Sequence, residues 1–190
     1  MKKFKQNEDA FTGLEAAIVL IAFVVVAAVF SYVVLGAGFF TTQKSQEVVH
    51  TGVGQASSNM ELSGPVVVEA AAADQVGSVS FYLQLAAGGT PVDMSKVTYT
   101  VSTKTKMETY VDGDAVITRT DVGSESDSDN LLENREMMMI TIALTDFAGA
   151  DKIDVNDQFT IEVKPDIGAA LPLVRKAPGG MSAGSFYEVY

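Results

Sequence analysis

From Ala16 to Gln43 no side chain carries a charge, and the stretch AAIVLIAFVVVAAVFSYVVLGAGFF within it is almost wholly apolar. A helix needs about 20 such residues to cross the hydrocarbon core of a bilayer, so this run suffices with a turn or two to spare. A helix that is apolar on every side has to be buried, in lipid or among other helices. The h-region of a cleaved secretory signal is shorter, about 7–15 residues, although Gly36-Ala37-Gly38 imitates the small residues of a cleavage site. Two further readings compete with that one. The run is either a plain anchor for a monomeric surface protein, or an assembly helix kept after a short leader is removed.

The residues ahead of the run favour the last. Lys2, Lys3 and Lys5 lead into Gln6-Asn7-Glu8-Asp9-Ala10 and then Phe11-Thr12-Gly13-Leu14-Glu15. Such a leader is short, polar and net positive, which holds it on the cytoplasmic side. This start resembles that of type IV pilins and, more closely, of archaellins, the filament subunits of the archaeal motility organelle. Pilin precursors are cut before a Phe-Thr-Leu-Ile-Glu-like start with an acid at the fifth mature position. A cut between Ala10 and Phe11 puts Gly13 third, where many archaellins carry glycine, and Glu15 fifth. A cut after Gly13 is the alternative, since glycine commonly precedes the scissile bond in this family; it would place Glu15 second. Many archaellins lack an acid at the Glu15 position, which is a departure from the pilin pattern.

Further along, Leu20 to Ala28 resembles the archaellin core helix, and Gly36 to Phe40 followed by Gln43 to Glu47 resembles its exit. Gly88 to Lys96 and Phe159 to Pro165 are similar to family segments of the outer domain. The resemblance implies three parts: a class III leader over 1–10 that is removed, an assembly helix over 11–58 that spans the membrane before assembly, and an outer β domain over 59–190. It also implies a structural subunit of an extracellular filament. The partners would be identical or related subunits, a leader peptidase, the membrane before assembly, and a motor and assembly platform. An adhesion pilin is the alternative of the same class, and a membrane-anchored binding domain that never assembles is the alternative of another.

The helix carries a pattern that a lone anchor does not need. Ala27 and Ser31 stand four apart, with Ala22, Ala28, Gly36 and Gly38 nearby, so neighbouring backbones could approach closely. Ile18 and Phe23 are among the bulky residues filling the spaces between. Ile18, Ala22, Phe23, Ala27, Ser31, Gly36 and Gly38 are therefore the expected assembly residues. A glycine inside a helix costs about 1 kcal/mol relative to alanine, so Gly36 and Gly38 mark a bend, a tight contact or the start of a loop. Beyond Phe40, Val48, Val49, Val53 and Ala56 recur near helical spacing among polar residues. A helix from about Thr12 to Ser57 would be on the order of 70 Å long, roughly twice a hydrocarbon core.

From about Glu61 the pattern changes period. Val79, Phe81, Leu83 and Leu85 alternate with Ser80, Tyr82 and Gln84, and similar alternation recurs in Val97, Tyr99, Val101 and in Phe159, Ile161, Val163. Met137 to Leu144 reads as a strand buried on both faces. Breakers separate these runs at Gly88-Gly89, Asp112-Gly113-Asp114, Ala148-Gly149 and Pro165 to Gly168. The expected fold class is α+β, a long apolar N-terminal helix followed by an all-β sandwich or Greek-key-like barrel.

Composition closes off most other functions. A net charge of −11 and a pI near 4.4 argue against nucleic acid, which needs a basic stripe. With no Cys and a single His, thiolate sites, multi-histidine metal sites and a Ser-His-Asp triad are not expected; no cofactor is implied, and the chain does not read as an enzyme. Oxygen ligands for Ca²⁺ could come from Glu125, Asp127 and Asp129, or from Asp151, Asp154, Asn156 and Asp157. Neither group has EF-hand spacing, and solvated charge is the ordinary state of such loops.

Overall fold

A computed structural model of the chain describes residues 5–123 and 129–190, with side chains from Thr12 onward. The chain divides between Thr51 and Gly52 into two compact units.

The described residues of the first unit all lie within α1 (Lys5–Ser57). Val and Ile are indifferent helix formers in water, but in a bilayer a helix is the one way a single segment can satisfy all of its own backbone groups. No proline occurs before Pro65 to interrupt it. Among the described residues the helix already runs from Lys5, seven residues ahead of the expected Thr12, where Lys5, Gln6, Glu8 and Ala10 are good helix formers. Gly36 and Gly38 do not end it, so the loop-start alternative fails. No atom outside the local helix backbone lies within 4 Å of where a Cβ would stand at either glycine.

In the second unit the last turn of α1 stops at Ser57, and the Ser58 amide donates to the Gly54 carbonyl at 2.9 Å. Ser58 is buried and its hydroxyl bonds that of Thr90. Gly168 passes directly over this turn. Its φ of +116° suits glycine, and a Cβ there would overlap the Ser58 carbonyl oxygen.

The strands that follow are β1 (Met60–Leu62), β2 (Val66–Ala72), β3 (Gln75–Leu85), β4 (Val92–Asp93), β5 (Thr98–Ser102) and β6 (Met107–Val111). After them come β7 (Ile117–Val122), β8 (Leu131–Leu132), β9 (Met137–Ala143), β10 (Gln158–Lys164), β11 (Leu171–Lys176) and β12 (Phe186–Val189). A six-stranded antiparallel sheet runs β12-β2-β3-β9-β7, with β1 also on β3. A four-stranded sheet runs β11-β10-β5-β6, and β4 pairs with β8. One core takes side chains from both main sheets: Phe81 and Leu83 of β3 and Ile140 of β9 join Tyr99 of β5 and Ile161 of β10, all inaccessible to water.

Two expectations need correction. No sheet closes into a barrel, since β12 and β7 bound one sheet and β11 and β6 the other. The Met137 to Ala143 strand is buried on one face only: Met138, Ile140 and Ile142 enter the core, while Met137, Met139 and Thr141 are half-buried on the outer face. Alternation sends successive side chains to opposite faces, so a continuous apolar run does not by itself put both faces in one subunit's core.

Candidate assembly surface

Helix geometry sorts the expected assembly residues. At about 100° per residue, Ala27, Ser31 and Gly38 fall within about 40° of one another, with Phe23 on their flank. Ile18, Ala22 and Gly36 form a second group on the opposite side of the same helix. All of these are exposed in the single chain. Ser31 and Gly38 floor a shallow concavity edged by Phe30, Phe39 and Thr42. The small residues also continue in a way the four-residue spacing did not reveal. Ser31, Gly38, Ser45 and Gly52 recur every seven residues, an interval slightly under two ideal helical turns, which suits helices winding about one another left-handedly.

Three threonine hydroxyls along the helix are already satisfied. The Thr41 hydroxyl donates to the Ala37 carbonyl at 2.8 Å, Thr42 to Phe39 at 2.9 Å, and Thr51 to Glu47 at 2.8 Å. Hydroxyls bonded back to the preceding turn enter an apolar environment at little further cost. Lys44 pairs with Glu47 at 2.6 Å on the polar stretch beyond the apolar run.

The magnitude of the exposure decides what the surface can be. Seventeen large apolar side chains between Leu14 and Phe40 are exposed, Phe23 at 71 % and Phe30 at 70 %. At about 1.5–3 kcal/mol for each side chain removed from water, their burial is worth on the order of 25–50 kcal/mol. That exceeds the entire net stability of an ordinary domain, about 5–15 kcal/mol. A helix with this surface is not stable free in water and needs an apolar surrounding. Among the described residues this is the one helix long and apolar enough to cross a membrane.

The side chains of Ala10 and Phe11 lie outside the described residues, as do Glu125 and Asp127; the backbone is helical through Ala10 and Phe11. Gly13 and Glu15 are exposed on the same helix. The acidic loop over 151–157 is internally occupied. Asp157 accepts from the Lys104 ammonium at 2.7 Å and from the Asp154 amide at 3.2 Å, and the lysine holds its carboxyl below the usual range. Asp154 pairs with Lys152 at 3.1 Å, and the Asp129 carboxylate caps the Leu131 amide at 2.6 Å. Among the described residues no three His, Cys, Asp or Glu side chains are placed to share a metal ion.

A family model described as archaeal-type flagellin matches residues 10–175. A probable flagellin 1 from Archaeoglobus fulgidus is 49 % identical over 195 residues, covering 93 % of each chain. The archaeal flagellum of Methanospirillum hungatei strain JF1 superposes with a TM-score of 0.72 at 38 % identity, covering 90 % of this chain and 97 % of that one. Archaeal flagellin FlaB1 from Methanocaldococcus jannaschii, a crystal structure, shares the fold at a TM-score of 0.56 and 10 % identity, over 68 % of this chain and 95 % of that one.

Proposed function

The chain belongs to the archaeal-type flagellins, and on that premise we propose that it polymerises through α1 into an extracellular motility filament. It is a structural subunit and not an enzyme. The observation that carries the mechanism is the fully exposed apolar helix, whose surface needs either lipid or copies of itself. In the bilayer, lipid serves; in the filament, identical helices do. Since lipid tails are as apolar as the side chains, the preference for the filament has to come from close packing rather than from the hydrophobic effect. The two opposite groups, Ala27, Ser31, Gly38 and Ile18, Ala22, Gly36, suit a helix with neighbours on more than one side.

The mature chain starts at Phe11 after a class III leader peptidase removes residues 1–10, with α1 as the inner core and the β unit as the outer wall. Gly13 and Glu15 at the third and fifth mature positions support this start. We read the β unit as a two-sheet sandwich. A motor and assembly platform in the membrane are the further partners. The test is to shear surface filaments from cells, identify their subunit by mass spectrometry, and follow swimming after deletion of the gene. Filaments built from this chain, with swimming lost on deletion, are expected. Cells that swim normally without it, or a chain that stays in the membrane fraction, would overturn the reading.

A further inference from the structure

We infer that the outer face of the six-stranded sheet is a contact between subunits, and that it packs against the outer face of the four-stranded sheet of a second copy of this chain. The inference rests on the polymer reading above. On β3 the outward side chains are Ser78, Ser80, Tyr82 and Gln84; on the adjoining β9 they are Met137, Met139, Thr141 and Ala143. β7 adds Thr118, Thr120 and Val122. None of these outward side chains on the three strands is charged, although residues 52–190 carry 20 acids and 9 bases.

The edge strands make the pattern pointed, because their polarity is inverted. Arg119 and Asp121 of β7 stand opposite the core residues Ile140 and Met138, while the threonines between them face outward. Arg119 is held there by Asp112 at 2.9 Å and Asn130 at 3.0 Å. On β6, Glu108 shares its face with the buried Tyr110, while Met107 and Val111 point outward at 68 % and 49 % exposure. Its neighbour β5 presents Thr98, Thr100 and Ser102 outward. The outer side of an antiparallel sheet in water is ordinarily polar. Here charge returns at the borders of the patch, with Glu61 of β1 accepting from Gln84 and Glu69 of β2 accepting from Ser78 on one sheet, and Glu162 and Lys164 of β10 beside β5 on the other.

Charge also names the occupant. Residues 1–51 hold 4 acids and 4 bases, so the whole net charge of −11 (9 − 20) belongs to the β unit. Identical units that repel one another come together at least cost through the faces that carry none. The pairing is front to back because a contact between two different patches propagates along a filament, whereas a self-complementary patch closes a pair. Three strands of seven residues span on the order of 340 Å², less than half of the roughly 800 Å² per partner in a stable interface. Such a contact holds only where the polymerised helices keep the β units at high effective concentration.

Filaments of the unaltered chain come first, since their absence overturns the polymer reading and this one with it. Given filaments, the chain's lack of cysteine makes single-thiol variants clean probes. In Thr120→Cys and Thr109→Cys, maleimide labelling should be at least tenfold slower in filaments than in detergent-dissociated subunits, and in Ala150→Cys it should change less than twofold. The double variant Thr109→Cys/Thr120→Cys should give a ladder of oligomers with a short bismaleimide. Thr120→Lys reduces the net negative charge by one, so general repulsion would favour its assembly; filament yield should nonetheless fall at least fivefold, with Ala150→Lys unchanged. Equal labelling of Thr120→Cys in filaments and free subunits, or an undiminished yield for Thr120→Lys, overturns the contact. Crosslinking of Thr120→Cys to itself overturns the front-to-back pairing.

Discussion

Replacing Ser31 with leucine separates assembly from membrane insertion. Ser31 floors the concavity between Phe30 and Phe39, on the same face as Ala27 and Gly38. Leucine is favoured at the centre of a membrane helix by about 0.5 kcal/mol, so the precursor should insert at least as well as the parent. In the filament the added branched carbon skeleton has to fit where a neighbouring backbone approaches. Overpacking of that kind costs about 1–3 kcal/mol, which lowers the association constant about 5- to 150-fold per subunit. Every subunit carries the same defect, so a modest penalty should abolish long filaments. Ser31→Ala keeps the site small and should assemble normally. The assay compares the chain in membranes and in sheared filaments by quantitative immunoblot. Normal filament yield from Ser31→Leu, or loss of Ser31→Leu from the membrane, would refute the reasoning.

Filament material should begin at Phe11 when its N-terminus is sequenced, with the formal charge moving from −11 to −12 as three lysines, Glu8 and Asp9 leave; an intact Met1 or a start after Gly13 would contradict the proposed cut. A fragment starting at Gly52 should be soluble, β-rich by circular dichroism and unable to polymerise, whereas one starting at Met60 should melt lower because it lacks Ser58, over which Gly168 packs. Equal melting of the two would show that this turn contributes nothing. Asp93 caps the turn that follows it: the Ser95 hydroxyl, then Lys96 and the Ser95 amide, hold its carboxyl down at about 2, from an ordinary 3.8. Because the folded value is the lower one, this contribution is complete above about pH 4 and fades as pH falls towards 2. Asp93→Asn should remove that part of the acid sensitivity, read as a smaller difference in thermal midpoint between pH 5 and pH 2.5.

The helix was legible because an uncharged run of that length has few alternatives, and the central strands because Val79 to Leu85 alternate without interruption. Its extension back to Lys5 was not, since charged residues with good helix propensity carry no periodic signal. Ile117 to Val122 was not singled out, because its charged residues, Arg119 and Asp121, sit on the core side. Met137 to Leu144 misled for the complementary reason: its apolar outer residues read as core when they belong to an uncharged outer face. Closure of a barrel depends on which edges pair across long sequence separations, and nothing local encodes it. Along the helix, Ala27 and Ser31 were visible at four-residue spacing, whereas the seven-residue series from Ser31 to Gly52 becomes meaningful only once the helix runs unbroken through Gly36 and Gly38.

A side-chain-resolution cryo-electron reconstruction of sheared filaments tests the central claim most directly. The account expects α1 helices packed in a common core with axes about 8–10 Å apart at their contacts. Ala27, Ser31 and Gly38 should lie against one neighbouring helix and Ile18, Ala22 and Gly36 against another, with the β units outside. Filaments held together by β units alone, with α1 turned to solvent or left in lipid, would contradict it.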